Sequence, residues 1–394
     1  MHMNCFKQRI RESKLANNLF VRPFFNRITF KLYRLFSIPY QIRCEKEHEE
    51  YLSLQHVEDA GLFAPLTETE KREVVNYWGI TPSSYREYVL YKHFRGFDVR
   101  FMPMSIYLPL ITRRLNDYQY TEILEHKSLF GYLTKGVVRF PKCFVRVVNG
   151  EYYSDDMRQI TKEEAIESCL HEEKVVLKDS LGGSGGKSIE ILKLGALSMS
   201  DRKKTVEDAI RHRYTDFVIQ EFLHESEELR KFNPSSVNTI RVQSLYLNGK
   251  WSPVTVILRF GGDGSEVDNA CSGGYAVGVH PDGRLYDYGF NYKMERADHI
   301  GDIIFKETKL SFIPSLLRHV EEAHVRQFPI CKYIGWDMIV DRDGNPVCIE
   351  INSCQNGHLT FQMSAGPTFG DRTQEVIDYC NSKKLYFNKS LLKY

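Results

Sequence analysis

Apolar positions recur with two different periods along this chain, and the change of period divides it. Between residues 45 and 100 the spacing is helical. Thr67 and Glu70 form a capping-box pattern ahead of EKREVVNYWG, and Thr81-Pro82 restarts a second helix over SSYREYVLYKHF. From about residue 104 short apolar runs interleave with helical ones, which predicts an α+β body behind a helical N-terminal region. Residues 115–133 are expected to be helical, CFVRVV a strand closed by an Asn149-Gly150 turn, and Thr161 the start of another helix with Glu164 completing its capping box. KVVLKD, SIEIL and DFVIQEFL read as strands, with a helix near 201–212 before the last.

Two further stretches read as tight hairpins. Asp343-Gly344 is flanked by the apolar runs MIV and VCI. If these two residues are the whole loop, Arg342 pairs with Asn345 and Asp337 lies directly across from Glu350. Carboxylates facing each other on adjacent strands repel, so a bound cation is needed to justify the pairing. Asn352 lies two residues beyond Glu350, on the same face of its strand. Oxygen-only donors of this kind suit Mg²⁺ or Mn²⁺, with nucleotide phosphates completing the shell. A surface hairpin with solvated acids would share the turn signal, but Trp336, Met338 and Ile339 around Asp337 favour a buried site. The same counting outward from Asn248-Gly249 pairs Asn238 with Arg259 and Arg241 with Val256, which sends the two arginines to opposite faces.

The strand KVVLKD leads into SLGGSGGK, whose Gly182, Gly183, Ser184, Gly185 and Gly186 leave backbone N–H groups free to close on phosphate. Three better-known motifs fail here. The P-loop pattern lacks its glycine at Leu181, G-x-S-x-G is followed by a strand instead of a helix, and the dinucleotide fingerprint breaks at Ser188. Lys178 sits among Val175, Val176 and Leu177, where it is either a phosphate partner or a snorkelling edge residue. The stretch Val218 to Leu223 suits an inter-lobe hinge whose backbone reads an adenine edge, and Glu228, seven residues after Glu221, is placed to take ribose hydroxyls.

Composition narrows the class without choosing within it. The 394 residues are 42% hydrophobic and 26% charged, ordinary for a globular enzyme. The net charge of +2 hides a basic segment, since residues 1–44 hold nine Lys and Arg against one acid and leave a net of −6 for the remainder. A globally basic nucleic-acid binder is thereby excluded. The basic and aromatic residues of 1–44 fit either a peripheral membrane contact or a helix packed on the body. Nine cysteines without a C-x-x-C pair, no apolar run of about 18 residues and no signal peptide indicate a cytoplasmic protein. The expected division is a basic segment 1–44, a helical region 45–125, a phosphate and hinge subdomain 126–230, a metal-bearing subdomain 231–380 and a tail 381–394.

Taken in order, VVLKDSLGGSGGKS, VIQEFL, Glu228 and the Asp337 to Glu350-x-Asn352 hairpin resemble the ATP-grasp superfamily, which includes D-alanine:D-alanine ligase. PSSVNTIR, LRFGG…VDN…GG and the helical N-terminal region make the closer likeness the sugar-transfer-associated ATP-grasp family, over roughly residues 65–370. The resemblance implies ATP and Mg²⁺ as cofactors. It makes Lys178 and Gly182–Gly186 phosphate contacts, Gln220, Glu221 and Leu223 the adenine hinge, Glu228 the ribose contact, and Asp337, Glu350 and Asn352 the metal ligands. Lys127 matches the family's first ATP lysine, although His126 stands where an Asp is usual. The ligase hairpin carries an arginine two residues before its Asp. Here Gly335 stands instead, so Arg241 or Arg259 must stabilise the transferring phosphoryl group. Asp268, Asn269, Gly273 and Gly274 would close over an acceptor, with Cys271 a passive thiol. The implied activity is ligation of a carboxylic acid to an amine in cell-surface polysaccharide synthesis. The alternatives are a kinase acting on a glycan hydroxyl and a non-catalytic nucleotide-binding accessory.

Overall fold

The computed structural model describes residues 63–383 except 80, 83–84, 118–120, 135, 137, 182–187, 214–215, 263–273, 292 and 355. Residues 1–44, Gly182–Gly186, Asp268, Asn269, Cys271 and Gly273 thus lie outside the described residues. All described elements belong to one compact unit, Ser53–Lys384.

Local sequence signals place the helices. α1 (Glu68–Trp78) begins at the Thr67 capping box and ends at Gly79, whose φ of 67° suits a residue without a Cβ. α2 (Arg86–Arg95) starts later than Ser83. The expected helix over 115–133 is broken. Its first piece stops at Leu115, a 3₁₀ turn covers Glu122–Glu125, and α3 runs only over Lys127–Leu133. The reason is Asn116, which leaves helical backbone so that its buried amide can donate to Tyr333 O and Ser353 O, both at 2.6 Å, and accept from the N–H groups of Lys332 and Tyr333. That side chain ties together the open end of the Tyr333 to Asn352 hairpin.

A five-stranded antiparallel sheet follows, built from β1 (Cys143–Val148), β2 (Glu151–Tyr153), β3 (Lys174–Asp179), β4 (Glu190–Lys193) and β5 (Phe217–Glu221), in the order β2-β1-β5-β3-β4. α4 (Lys162–Glu167), opened by its Thr161 capping box, and α5 (Met199–Arg211) cover one face through Val145, Leu177, Ile219, Ile166 and Val206. The opposite face carries Arg146, Val218 and Lys178 in one cross-strand row and Gln220 with Val176 in the next.

The second sheet has seven strands: β6 (Thr239–Leu247), β7 (Lys250–Phe260), β8 (Tyr275–Val279), β9 (Leu285–Asn291), β10 (Arg296–Ala297), β11 (Tyr333–Val340) and β12 (Pro346–Asn352), ordered β10-β9-β8-β7-β6-β11-β12. α6 (Ile313–Gln327) packs on one face against Ile240, Val242, Val256, Trp336 and Met338. The other face receives α1 and α2, with α7 (Leu359–Ala365) and α8 (Thr373–Ser382) closing it. Under α6 a buried chain runs from Trp336 Nε1–H to Ser244 Oγ at 2.8 Å and from that hydroxyl to His324 Nδ1 at 2.7 Å, leaving Nε2–H to donate to Cys331 O.

Burial holds His324 neutral, with its pKa pushed down to about 4, and His358 likewise to about 3. An unfolded chain therefore takes up protons near pH 6.5 that the folded chain refuses. The stability from these groups is complete above that pH and is lost as the pH falls toward about 4. His324 alone should account for about 3 kcal/mol of that loss, read as a falling denaturant midpoint between pH 7 and 4. Asn116→Ala, which strips a partner from four backbone groups, three of them on the buried residues Tyr333 and Ser353, should cost about 2–4 kcal/mol at constant denaturant slope.

Candidate active site

The hairpin β11–β12 delivers its two carboxylates face to face, by a route the counting did not foresee. Asp337 pairs with Glu350 and Gly335 with Asn352. The turn is one residue longer than expected, however. Asp341 closes it with Asn345, its Oδ1 accepting from the N–H groups of Asp343 and Asn345, and Gly344 takes φ 82° at the left-handed position. Arg342 does not pair with Asn345. The extra residue is absorbed by a bulge at Ile349, since Met338 pairs with Cys348 while Asp337 pairs with Glu350. Two departures from the ideal ladder cancel at the carboxylates.

A bulge also corrects the arginines. The register counted from Asn248-Gly249, whose φ values of 52° and 75° define the tight turn, holds as far as Ser244 opposite Pro253. Pro253 has no N–H to offer the ladder, and Val254 is the extra residue after it. Beyond this point Arg259 pairs with Thr239 and Arg241 with Ile257. Both arginines therefore lie on one face, where Arg241 is also the cross-strand partner of Asp337. The guanidinium of Arg241 grips both carboxylate oxygens, through Nε to Oδ1 and through Nη2 to Oδ2 at 2.9 Å, and Arg259 Nη2 is 3.3 Å from Oδ1. Burial alone would raise the pKa of Asp337, but the two arginines outweigh it and hold the carboxyl below its ordinary value.

Gly335 gives the arrangement its room. A Cβ there would lie 3.3 Å from Arg241 Nη1 and 3.2 Å from Asn356 Cβ, so the Arg241 guanidinium occupies the space beside the position where the ligase-like pattern carries its own arginine.

α3 brings Lys127 from the other side. Its backbone N–H is held by Ser180 O at 2.9 Å, and its Nζ lies 3.3 Å from Glu350 Oε1. Glu125, two residues earlier, accepts from Ser353 N, Ser353 Oγ and Cys354 N at 2.6–3.0 Å, which fastens α3 to the end of β12. Between α3, the five-stranded sheet and β12 lies a small cleft open to solvent. Leu124, Phe130, Phe140, Pro141, Ile349 and Ile351 supply its apolar walls, and Glu125, Lys127, Glu350, Gln220 and Arg146 its polar groups.

Lys178 is buried, in the same cross-strand row as Arg146. Glu221 ends β5 with its carboxylate accepting from Lys142 N–H at 2.7 Å, and Leu223 is buried in the core beneath β6. Glu228 accepts from Ser311 N–H at 2.6 Å and from Ser311 Oγ at 2.8 Å, which secures the approach to α6. Gly274 is buried just ahead of β8. Asn116, Glu125 and Arg146 were not singled out from the sequence. For Arg146 the signal was present, a charge inside the apolar strand CFVRVV, the same signal that picked out Lys178.

The donors fit a hard divalent cation. Asp337 and Glu350 offer carboxylate oxygens and Asn352 an amide oxygen, while the Asn352 Nδ2 donates to Asp337 Oδ2 at 3.5 Å. Among the described residues no three His, Cys, Asp or Glu side chains form a self-sufficient cage. Two carboxylates facing Lys127, Arg241 and Arg259 leave a net positive site, so a metal would need phosphate oxygens to complete its shell.

Two antiparallel sheets meeting over one cleft, with this hairpin at its edge, form the ATP-grasp fold, an α+β architecture. The chain belongs to the sugar-transfer associated ATP-grasp family, whose model matches residues 110–378. No curated protein matches the sequence. Similar solved structures include D-alanyl-alanine synthetase A from Vibrio cholerae O1 biovar eltor, at 11% identity over 55% of this chain and 54% of that one, with a TM-score of 0.32. The D-alanine-D-alanine ligase of Coxiella burnetii matches at 12% identity, 68% and 61% coverage and TM-score 0.37. The biotin carboxylase domain of Hydrogenobacter thermophilus 2-oxoglutarate carboxylase, solved with MgADP and bicarbonate, matches at 16%, 70% and 49%, and 0.40. The chain spans between about half and three-fifths of the length of these proteins.

Removing Asp337 leaves two arginines without their counter-charge in a buried position. Asp337→Ala should therefore lower stability by about 3–5 kcal/mol, whereas Glu350→Gln, which frees only the partly exposed Lys127, should cost about 1 kcal/mol or less. Denaturant titration of both variants separates the two.

Proposed function

We propose that this protein is an ATP-dependent, ADP-forming ligase that joins a carboxylic acid to an amine in the synthesis of a surface glycan or glycoconjugate. The observation that carries the reading is the cross-strand pair Asp337–Glu350 surrounded by Lys127, Arg241 and Arg259. An anionic ligand of high charge neutralises that surplus. A bound magnesium ion held by Asp337, Glu350 and Asn352 would draw charge from the phosphate oxygens.

The chain's own groups do the rest. Arg241, stretched between Asp337 and Asn356 O, is rigidly presented and stabilises charge on the transferring phosphoryl group, with Arg259 beside it. Lys127 and Lys178 approach the phosphates from the opposite wall. The glycines Gly182–Gly186 close over them, and Asp268, Asn269, Gly273 and Gly274 attend the acceptor. Gln220, Glu221 and Leu223 present the hinge to the adenine.

A carboxylate is already a nucleophile and needs no general base. Among the described residues the two acids of the cluster are both engaged by cations, Asp337 by arginine and Glu350 by lysine, which suits a nucleophile that brings its own charge. Carboxylate attack on the γ-phosphoryl yields an acylphosphate, and the amine then displaces phosphate. Residues 1–44, with nine basic side chains, would hold the protein at an anionic membrane surface where glycan precursors are assembled. Among the described residues no helix is long and apolar enough to cross a membrane.

Purified protein given Mg·ATP should release ADP only when both an acid and an amine are added, with a product mass equal to their sum less water. ADP release driven by a hydroxyl acceptor alone would instead identify a kinase. Asp337→Asn and Glu350→Gln should each lower turnover by at least about a hundredfold. Calorimetry should find no Mn²⁺ binding to the protein alone and clear binding once ADP is present, because the surplus of cations repels a free metal.

A further inference from the structure

The cleft wall contributed by β1 contains a charge that the proposed phosphate and metal contacts do not use. Arg146 lies in a strand otherwise made of Cys143, Phe144, Val145, Val147 and Val148, and it is 2% exposed. Its register partner on β5 is Val218, and Val218 pairs in turn with Lys178 on β3, so Arg146 and Lys178 flank one row of the cleft-facing sheet surface. Two of its nitrogens are committed. Nη1 donates to Ser128 O at 3.0 Å, and Nη2 donates to Asp155 at 2.6 Å. Nε is buried and has no hydrogen-bond partner.

A guanidinium so placed is costly unless something accepts from it, because a buried donor left unmade forfeits its hydration. Its surroundings indicate what that is. Arg146 lines the cleft beside Gly131, Phe130 and Phe140, and the rings of the two phenylalanines meet edge to face at 4.4 Å. Gly131 keeps the wall low, since a Cβ there would touch both Phe140 and Arg146. Of the cleft's other polar groups, Glu125 is held by Ser353 and Cys354, Lys127 and Glu350 belong with Asp337, and Gln220 lies in the next cross-strand row, in the proposed hinge. An aromatic wall beside one fixed, unpaired donor suits a heteroaromatic ring bearing a nitrogen lone pair.

We propose that Arg146 reads the nucleobase, its Nε–H donating to a ring nitrogen of the bound adenine. This rests on the nucleotide-binding reading above and adds a base-recognition residue to it. The bonds to Ser128 O and Asp155 fix the plane of the guanidinium before the ligand arrives, so little rotamer freedom remains to be lost on binding.

The test uses calorimetry of the full chain with ADP and with its 1-deaza, 3-deaza and 7-deaza analogues, each of which lacks one ring acceptor. On the wild type at least one analogue should bind about tenfold or more weakly than ADP, the loss expected for one hydrogen bond from a charged donor. In Arg146→Lys, which keeps a cation for Asp155 but lacks the Nε–H, that same analogue and ADP should bind alike. Arg146→Gln serves as a second variant, and thermal melting establishes that each is folded. If no analogue is weaker on the wild type, or if every loss persists in the folded variants, Arg146 does not read the base. Failure of the wild type to bind ADP at all would remove the nucleotide reading itself, a separate result.

Discussion

Two guanidinium groups converge on one buried carboxylate, and the geometry of the seven-stranded sheet is arranged around that meeting. Arg241 and Arg259 come from neighbouring strands and would repel each other on a dry face. Asp337, from a third strand, makes their closeness tolerable. Such an ion cluster contributes little net stability over an apolar core of the same volume, because each charge has lost its water. It does fix register. A slip of one residue in β6, β7 or β11 would leave an unpaired charge inside the protein, so the alternatives are strongly disfavoured and the strands have one alignment.

That alignment depends on two inserted residues. Val254 turns Arg259 toward the side that holds Arg241, and Ile349 returns Glu350 to its place opposite Asp337. Capping boxes at Thr67 and Thr161, the strands Cys143–Val148 and Lys174–Asp179 and the Asn149-Gly150 and Asn248-Gly249 turns were all legible in the sequence, because each is set by residues within a few positions of one another. Bulges are set by the partner strand and by where the next strand ends, which no local pattern records. Pro253 was the one available hint. Counting from Asn248-Gly249 was correct for four pairs and then misplaced Arg241 and Arg259, while at the other hairpin the errors in turn and ladder compensated.

Residues that act on distant partners were the least legible. Asn116 appears in the sequence as a polar residue within a helix, yet its amide binds four backbone groups more than two hundred residues away and interrupts that helix. Glu125 fastens α3 to the end of β12 in the same way, so the lysine on one wall of the cleft and the acids on the other are held by a shared anchor. Glu228, singled out for its spacing from Glu221, has a structural partner that the spacing did not reveal, Ser311 ahead of α6.

The bare backbone at Gly335 sets how closely the cluster can be crowded. A Cβ there would stand 3.3 Å from Arg241 Nη1 and 3.2 Å from Asn356 Cβ, so even the smallest side chain would press on the guanidinium that holds Asp337. One missing methyl group on β11 thus leaves the elbow room in which a charge from β6 can settle.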